Sequence, residues 1–242
     1  MIEDLLIVAA GMGTRLRSKS ELKPLTRLGG MSLIERAIGS AFTAGMHRAT
    51  IVTGYAADIL EDHLQSLRDK HGWDIRTVFN PDYTLPNGLS VLKAKDVLTG
   101  PFCLTMCDHF VDPALYTPLL AAERGSDTVA LAVDTRLDNP LVDLEDVTRV
   151  MLDGRHIRAI GKEMEPYNAF DTGVFAAGPA LFDALEQSGR ELEDFSISGG
   201  MRILARDDRA LGIDIGDACW IDVDSPDMLE LAEDWLEKHP EV

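Results

Sequence analysis

Along the first 110 residues, short apolar runs alternate with stretches whose apolar side chains recur at helical spacing, and that alternation admits few architectures. Residues 5–10 form a continuous apolar run ending at glycine, which predicts a buried strand. Over residues 31–45, Leu33, Ile34, Ala37, Ile38, Ala41 and Phe42 share one helical face that stops near Gly45. A second strand is expected over 49–53. A second helix follows over 58–70, with Ile59, Leu60, His63, Leu64 and Leu67 on one face. Residues 75–79 predict a third strand closed by Asn80-Pro81, and a helix from about Leu89 leads to a strand over 101–106. Strands alternating with helices at this spacing build βαβ units. The expected fold is therefore α/β, a Rossmann-like and mostly parallel sheet with helices on both faces.

After residue 125 the pattern changes. Two short β-like runs flank Asp153-Gly154, a hairpin signal, and residues 170–176 predict another strand. Helices are expected near 179–186 and after Pro226, where Met228, Leu229, Leu231, Ala232, Trp235 and Leu236 form an amphipathic face. No Pro/Ser-rich linker divides the chain, so residues 1–242 read as a single domain. Its parts would be a nucleotide-binding part over about 1–125 and an acceptor-binding part over about 126–242, with a small antiparallel substrate-facing insertion and the C-terminal helix.

In such sheets ligands bind beyond the carboxyl ends of the strands. The turn Gly11-Met12-Gly13, the pair Asn87-Gly88 and Asp108 all fall at such ends. The turn is not a dinucleotide fingerprint, because Leu16 holds the third glycine position, and no G-K-[ST] follows to make a P-loop. Glycines at 11 and 13 let the backbone approach phosphate oxygens. Arg15, Arg17, Lys19 and Lys23 follow in a chain whose net charge is −18, and Arg15 and Lys23 could neutralise a triphosphate. The same net charge argues against nucleic acid or an anionic membrane as partner. The longest apolar run is too short for membrane insertion, and Glu3 and Asp4 stand where a signal peptide is basic. Three cysteines cannot all pair, which suits a reducing cytoplasm.

Asp108 ends an apolar strand where a carboxylate can share Mg²⁺ with substrate phosphates, while Asp112 is the better cap for the helix beginning near Pro113. His109 beside it is either a structural histidine or a functional one. Near the C-terminus, Ser225 caps a helix whose first residue is Pro226, with Asp227 favourable to the dipole. Asp222 is left without a structural task and could complete the metal site. Lys162 could clamp an anionic substrate, and Asp171 precedes a small Thr172-Gly173 pair at a strand start.

With these residues placed, the chain resembles the sugar-phosphate nucleotidyltransferase superfamily, of the MobA-like NTP transferase type. That family opens on a strand and an A-A-G-x-G-T-R turn, matched here by Ala9, Ala10, Gly11, Gly13, Thr14 and Arg15, and Lys23 falls at the family lysine. Here Leu22 stands where the family has proline. Within the superfamily it is most similar to the CTP:inositol-1-phosphate cytidylyltransferases. Asn87-Gly88-Leu89-Ser90, Leu104 through His109, Ile160 through Glu163 and Asp222 through Pro226 carry that likeness. The resemblance implies transfer of CMP from CTP to a phosphorylated small acceptor, inositol 1-phosphate first, with release of pyrophosphate and Mg²⁺ as cofactor. It implies Arg15, Lys23 and Lys162 as catalytic cations, Ala9 through Arg15 with Asn87, Gly88 and Ser90 for the nucleotide, and His109, Lys162 and Asp171 for the acceptor. Asp108 and Asp222 are implied as metal ligands, with Asp224 the alternative to Asp222. Phosphocholine, a phosphonate or a sugar 1-phosphate remain as other acceptors, UTP or GTP as other donors, and a non-catalytic nucleotide-sensing module as a further reading.

Overall fold

The structure, a computed structural model, describes residues 2–13 and 22–240. Its layers follow from alternation within the first strand, β1 (Asp4–Val8). Leu5, Ile7 and Ala9 point to one face and Leu6, Val8 and Ala10 to the other, all buried. A strand buried on both faces needs helices on both. On the first face lie α1 (Leu33–Thr43), α2 (Ala57–His71) and α4 (Pro113–Ala121), packed through Ile34, Ile38, Leu60, Leu64 and Leu115. On the second lie α3 (Asn87–Leu92), α5 (Pro179–Leu192) and α6 (Ile197–Arg206), packed through Val91, Leu181, Leu185, Met201 and Leu204.

Among the described residues the main sheet has nine strands. Their order is β5 (Asp74–Phe79), β4 (Arg48–Thr53), β1, β6 (Phe102–Met106), β11 (Ala169–Ala177), β8 (Val129–Asp134), β12 (Ala210–Asp214), β10 (His156–Gly161) and β9 (Arg149–Asp153). The pairs β5–β4, β4–β1, β1–β6 and β8–β12 are parallel. Elsewhere the pairing is antiparallel, and β9 also pairs with the start of β11. The sheet is therefore mixed rather than mostly parallel. The reason lies in the connections: no helix separates β9, β10 and β11, and a parallel neighbour needs a crossover. Outside the main sheet, β2 (Arg27–Leu28) pairs with β3 (Met31–Ser32), and β7 (His109–Val111) pairs with β13 (Trp220–Asp222).

The C-terminal helix α7 (Pro226–Lys238) begins as expected, with Ser225 Oγ accepting from the Met228 N–H at 3.2 Å. It packs through Leu229 and Ala232 against Phe110 and Ile221, which seats the β7–β13 ribbon. Asp112 caps α4 through the Ala114 N–H, leaving Asp108 uninvolved in that cap.

Arg48 on β4 donates in bidentate fashion to Asp4 on β1, at 2.9 and 2.7 Å. That fork holds the Asp4 carboxyl below the usual carboxylate range. A depressed pKa contributes stability that is complete above the unfolded value, about 3.9, and lost as pH falls through the folded one. Asp4→Asn should therefore cost stability at pH 6 and little at pH 2.5. Urea midpoints at the two pH values read the difference; an equal loss at both would mean that the carboxylate charge is not what matters.

Candidate active site

β4, β1 and β6 run parallel, so their carboxyl ends share one edge, and the glycine turn leaves β1 there. Gly13 lies at φ +52°, and a Cβ on it would sit 2.4 Å from the Lys23 Cβ. Any larger residue would displace Lys23. Gly11 faces open space on the cleft side. Ala9 and Ala10 lie behind the turn, buried, with the Ala9 N–H bonded to the Val52 carbonyl and the Ala10 carbonyl to the Tyr55 N–H. Thr14 and Arg15 lie outside the described residues.

Lys23 starts a single 3-10 turn, Lys23–Leu25, and its Nζ meets Asp108 Oδ2 at 2.5 Å. Burial disfavours both charges, but each outweighs that penalty for the other. The Lys23 pKa is raised by Asp108 and Asp222, and the Asp108 pKa is lowered by Lys23 and His109. The two remain an ion pair at neutral pH.

The β7–β13 register sets Asp222 directly opposite His109, bringing together residues far apart in sequence. His109 Nε2 lies 3.6 Å from Asp222 Oδ2 and 3.9 Å from Asp108 Oδ1, while Nδ1–H donates to the Thr172 carbonyl at 2.8 Å. Burial opposes the imidazolium, yet these two carboxylates and the carbonyl raise its pKa above the ordinary value. Burial pushes the Asp222 carboxyl up, and His109 partly offsets this. Gly173, at φ +75°, makes room for the ring: a Cβ there would lie 2.2 Å from His109 Cε1.

Asp222 Oδ1 is buried and has no hydrogen-bond partner. Asp108, His109 and Asp222 place ligand atoms within 4.8 Å of one another, and so do Asp146, Asp222 and Asp224. Several carboxylate oxygens around one orphaned acceptor are the donor set that a hard cation such as Mg²⁺ prefers, so the residues present fit that ion.

Two lobes of one cleft meet at this cluster. The first holds the Gly11 and Gly13 turn, Lys23, Asp108 and Ser90, with Tyr83 and Leu85 on its wall. The second is lined by Asp143, Thr148, Asp171 and Trp220. Asn87, His109, Asp146, Lys162 and Asp222 line both. Lys162 is ion-paired with Asp146. Asp171 accepts from the Gly173 N–H at 2.7 Å, as a turn residue does, and burial pushes its carboxyl up to about 6.

The Asn87-Gly88-Ser90 segment is less simply a ligand surface. Asn87 Oδ1 accepts from the Ile197 N–H at 3.0 Å, fixing the start of α6. A Cβ on Gly88 would lie 2.3 Å from the Phe195 carbonyl, so its size serves helix packing. Ser90 Oγ accepts from Asn80 at 2.9 Å and still lines the first lobe. Asp143, Asp146 and Trp220 were absent from the expected site. In so acidic a chain, the run from Asp143 to Asp146 reads as solvated surface until the fold turns it inward.

Residues 5–207 match the family described as the MobA-like NTP transferase domain. The chain is 35% identical over 233 residues to the bifunctional IPC transferase and DIPP synthase of Rubrobacter xylanophilus, covering 95% of this chain and 51% of that one. It is 28% identical to the protein of that name from Aquifex aeolicus, covering 98% and 53%. It thus spans about half the length of these curated relatives. Among solved structures, the inositol-1-phosphate CTP transferase of T. maritima superposes with a TM-score of 0.84 at 26% identity, covering 98% of this chain and 97% of the other.

Proposed function

The chain belongs to the MobA-like NTP transferase family, and on that premise we propose that it is a cytidylyltransferase moving CMP from CTP to inositol 1-phosphate with release of pyrophosphate. The observation that carries the reading is the meeting of two lobes at a cluster of Lys23, Asp108, His109 and Asp222. One lobe is backed by a glycine turn suited to phosphates. The other is lined by carboxylates that can accept from polyol hydroxyls, with Lys162 as the cation for a phosphate. The likeness to relatives named for inositol-1-phosphate CTP transfer supports the choice of both substrates.

In this reading the triphosphate lies along the Gly11–Gly13 backbone, with the α-phosphate over Lys23. An acceptor phosphate oxygen attacks the α-phosphorus in line, the bond to the bridging oxygen of the β-phosphate breaks, and pyrophosphate leaves. A phosphate monoester is already ionised near neutral pH, so the nucleophile needs no general base. Catalysis is then placement plus charge compensation. Lys23, kept protonated by Asp108, stabilises charge on the reacting phosphoryl oxygens. Lys162 and His109, whose imidazolium the neighbouring carboxylates favour, face the acceptor phosphate, and Asp171 and Asp146 accept from hydroxyls. Mg²⁺, when bound by Asp108 and Asp222, would supply further positive charge to the phosphoryl oxygens.

The test is pyrophosphate release in the presence of Mg²⁺, with CTP, UTP, GTP and ATP crossed against inositol 1-phosphate, phosphocholine, a phosphonate and glucose 1-phosphate. Release confined to CTP with inositol 1-phosphate is the expected result. Release with CTP and another acceptor would keep the mechanism and replace the acceptor. CTP bound without release across the grid would favour a nucleotide-sensing module.

A further inference from the structure

We propose that Asp134, at the end of β8, is a positioning residue that ties together two walls of the second lobe. It rests on reading that lobe as the acceptor site. Asp134 is fully buried, and its carboxylate accepts five hydrogen bonds. Oδ1 takes the Arg136 backbone N–H at 2.9 Å and its Nε at 2.8 Å. Oδ2 takes Arg136 Nη2 at 3.0 Å, Asn139 Nδ2 at 2.8 Å and the Trp220 indole N–H at 2.9 Å.

Two of these donors lead to different walls. Asn139 also accepts from the Leu141 N–H at 3.0 Å, so it sets the start of the stretch that carries Val142, Asp143, Asp146 and Thr148 into the lobe. Trp220 begins β13, two residues before Asp222, and its ring lines the same lobe. Arg136 reinforces the second tie by donating from Nη2 to the Ala218 carbonyl at 2.8 Å. One carboxylate thus fixes the distance between the 141–148 wall and the β13 wall. None of its five hydrogen bonds goes to the Gly11–Gly13 turn.

Burial alone would push the Asp134 carboxyl up; the donors from Arg136, Trp220 and Asn139 outweigh it and keep it ionised. Charge is required because four of the five donors are side-chain N–H groups, and a neutral amide would turn an NH₂ toward some of them. An unsatisfied buried donor costs enough to move the loop instead.

The experiment compares Asp134→Asn and Asn139→Ala with the wild type, measuring KM for acceptor and for CTP separately, with amide hydrogen exchange on each protein. Asn139→Ala cuts only the loop tie at a partly exposed residue, so it tests the idea even if Asp134→Asn does not fold. The expected result is an acceptor KM raised at least about tenfold with the CTP KM within about twofold. Amides over 139–148 should exchange faster while those of β1, β4 and β6 do not. Equal rises in both KM values, or unchanged exchange over 139–148, would overturn the proposal. Wild-type protein inactive over the whole substrate grid would instead strike the acceptor reading, and the exchange data would still decide whether Asp134 holds the two walls.

Discussion

Replacing Lys23 with alanine is expected to lower the turnover of CMP transfer by at least about 100-fold, the usual cost of losing a preorganised electrostatic group. The argument starts from burial. The Lys23 ammonium is held in a nearly enclosed position by Asp108 at 2.5 Å, and a charge there acts through a low local dielectric. Removing it costs twice: the phosphoryl oxygens lose their fixed cation, and Asp108 loses the closer of the two cationic partners it has among the described residues, keeping His109 at 3.9 Å. Asp108→Ala should fall by a similar factor. Lys23→Met separates charge from packing, since it keeps the length of the stem. If Lys23→Met retains turnover within about tenfold of wild type, Lys23 is a packing residue and the phosphate assignment fails.

Much of this site could be read from the residues before any fold was known, and the part that could not has a common cause. The turn at Gly11 and Gly13 and the carboxylate of Asp108 lie close in sequence to a strand end, where local rules apply: an apolar run, then glycine or a polar residue at the sheet edge. Lys23 stood out instead as one of a cluster of cations in an acidic chain. Ser225 and Pro226 announced their helix by the same local chemistry. What escaped depends on pairing between distant segments. Nothing near Asp222 says that it will stand opposite His109; that follows from three residues of β13 finding three of β7. The mixed character of the sheet escaped for the same reason, since it is set by β11 entering between β6 and β8. β8 is a different case. Its run Val129 to Val133 carries as clear an apolar signal as β1 and was not among the expected strands, although it ends on Asp134.

The second large effect is expected from a residue with no functional atoms. Gly173→Ala should both destabilise the protein and cut turnover, because two separate constraints meet at that position. Its φ of +75° lies where an L-residue costs about 1–2 kcal/mol. The added methyl would also lie 2.2 Å from His109 Cε1 and 2.4 Å from Nδ1, so the ring must move or the strand must, and overpacking of that kind costs about 1–3 kcal/mol. The ring is the easier to move: among the described residues one hydrogen bond, to the Thr172 carbonyl, and two longer ion pairs hold it, whereas β11 is paired with a strand on either side. Its movement separates Nε2 from Asp222 and Asp108 and leaves their charges less compensated. A displacement of about 1 Å at such a site can cost about 100-fold in rate. The double variant Gly173→Ala with His109→Ala resolves the two constraints. Deleting the ring should restore part of the lost unfolding free energy, measured by urea titration, while turnover stays low. A double variant no more stable than Gly173→Ala would show that backbone strain alone accounts for the loss and that glycine is not there to admit the imidazole.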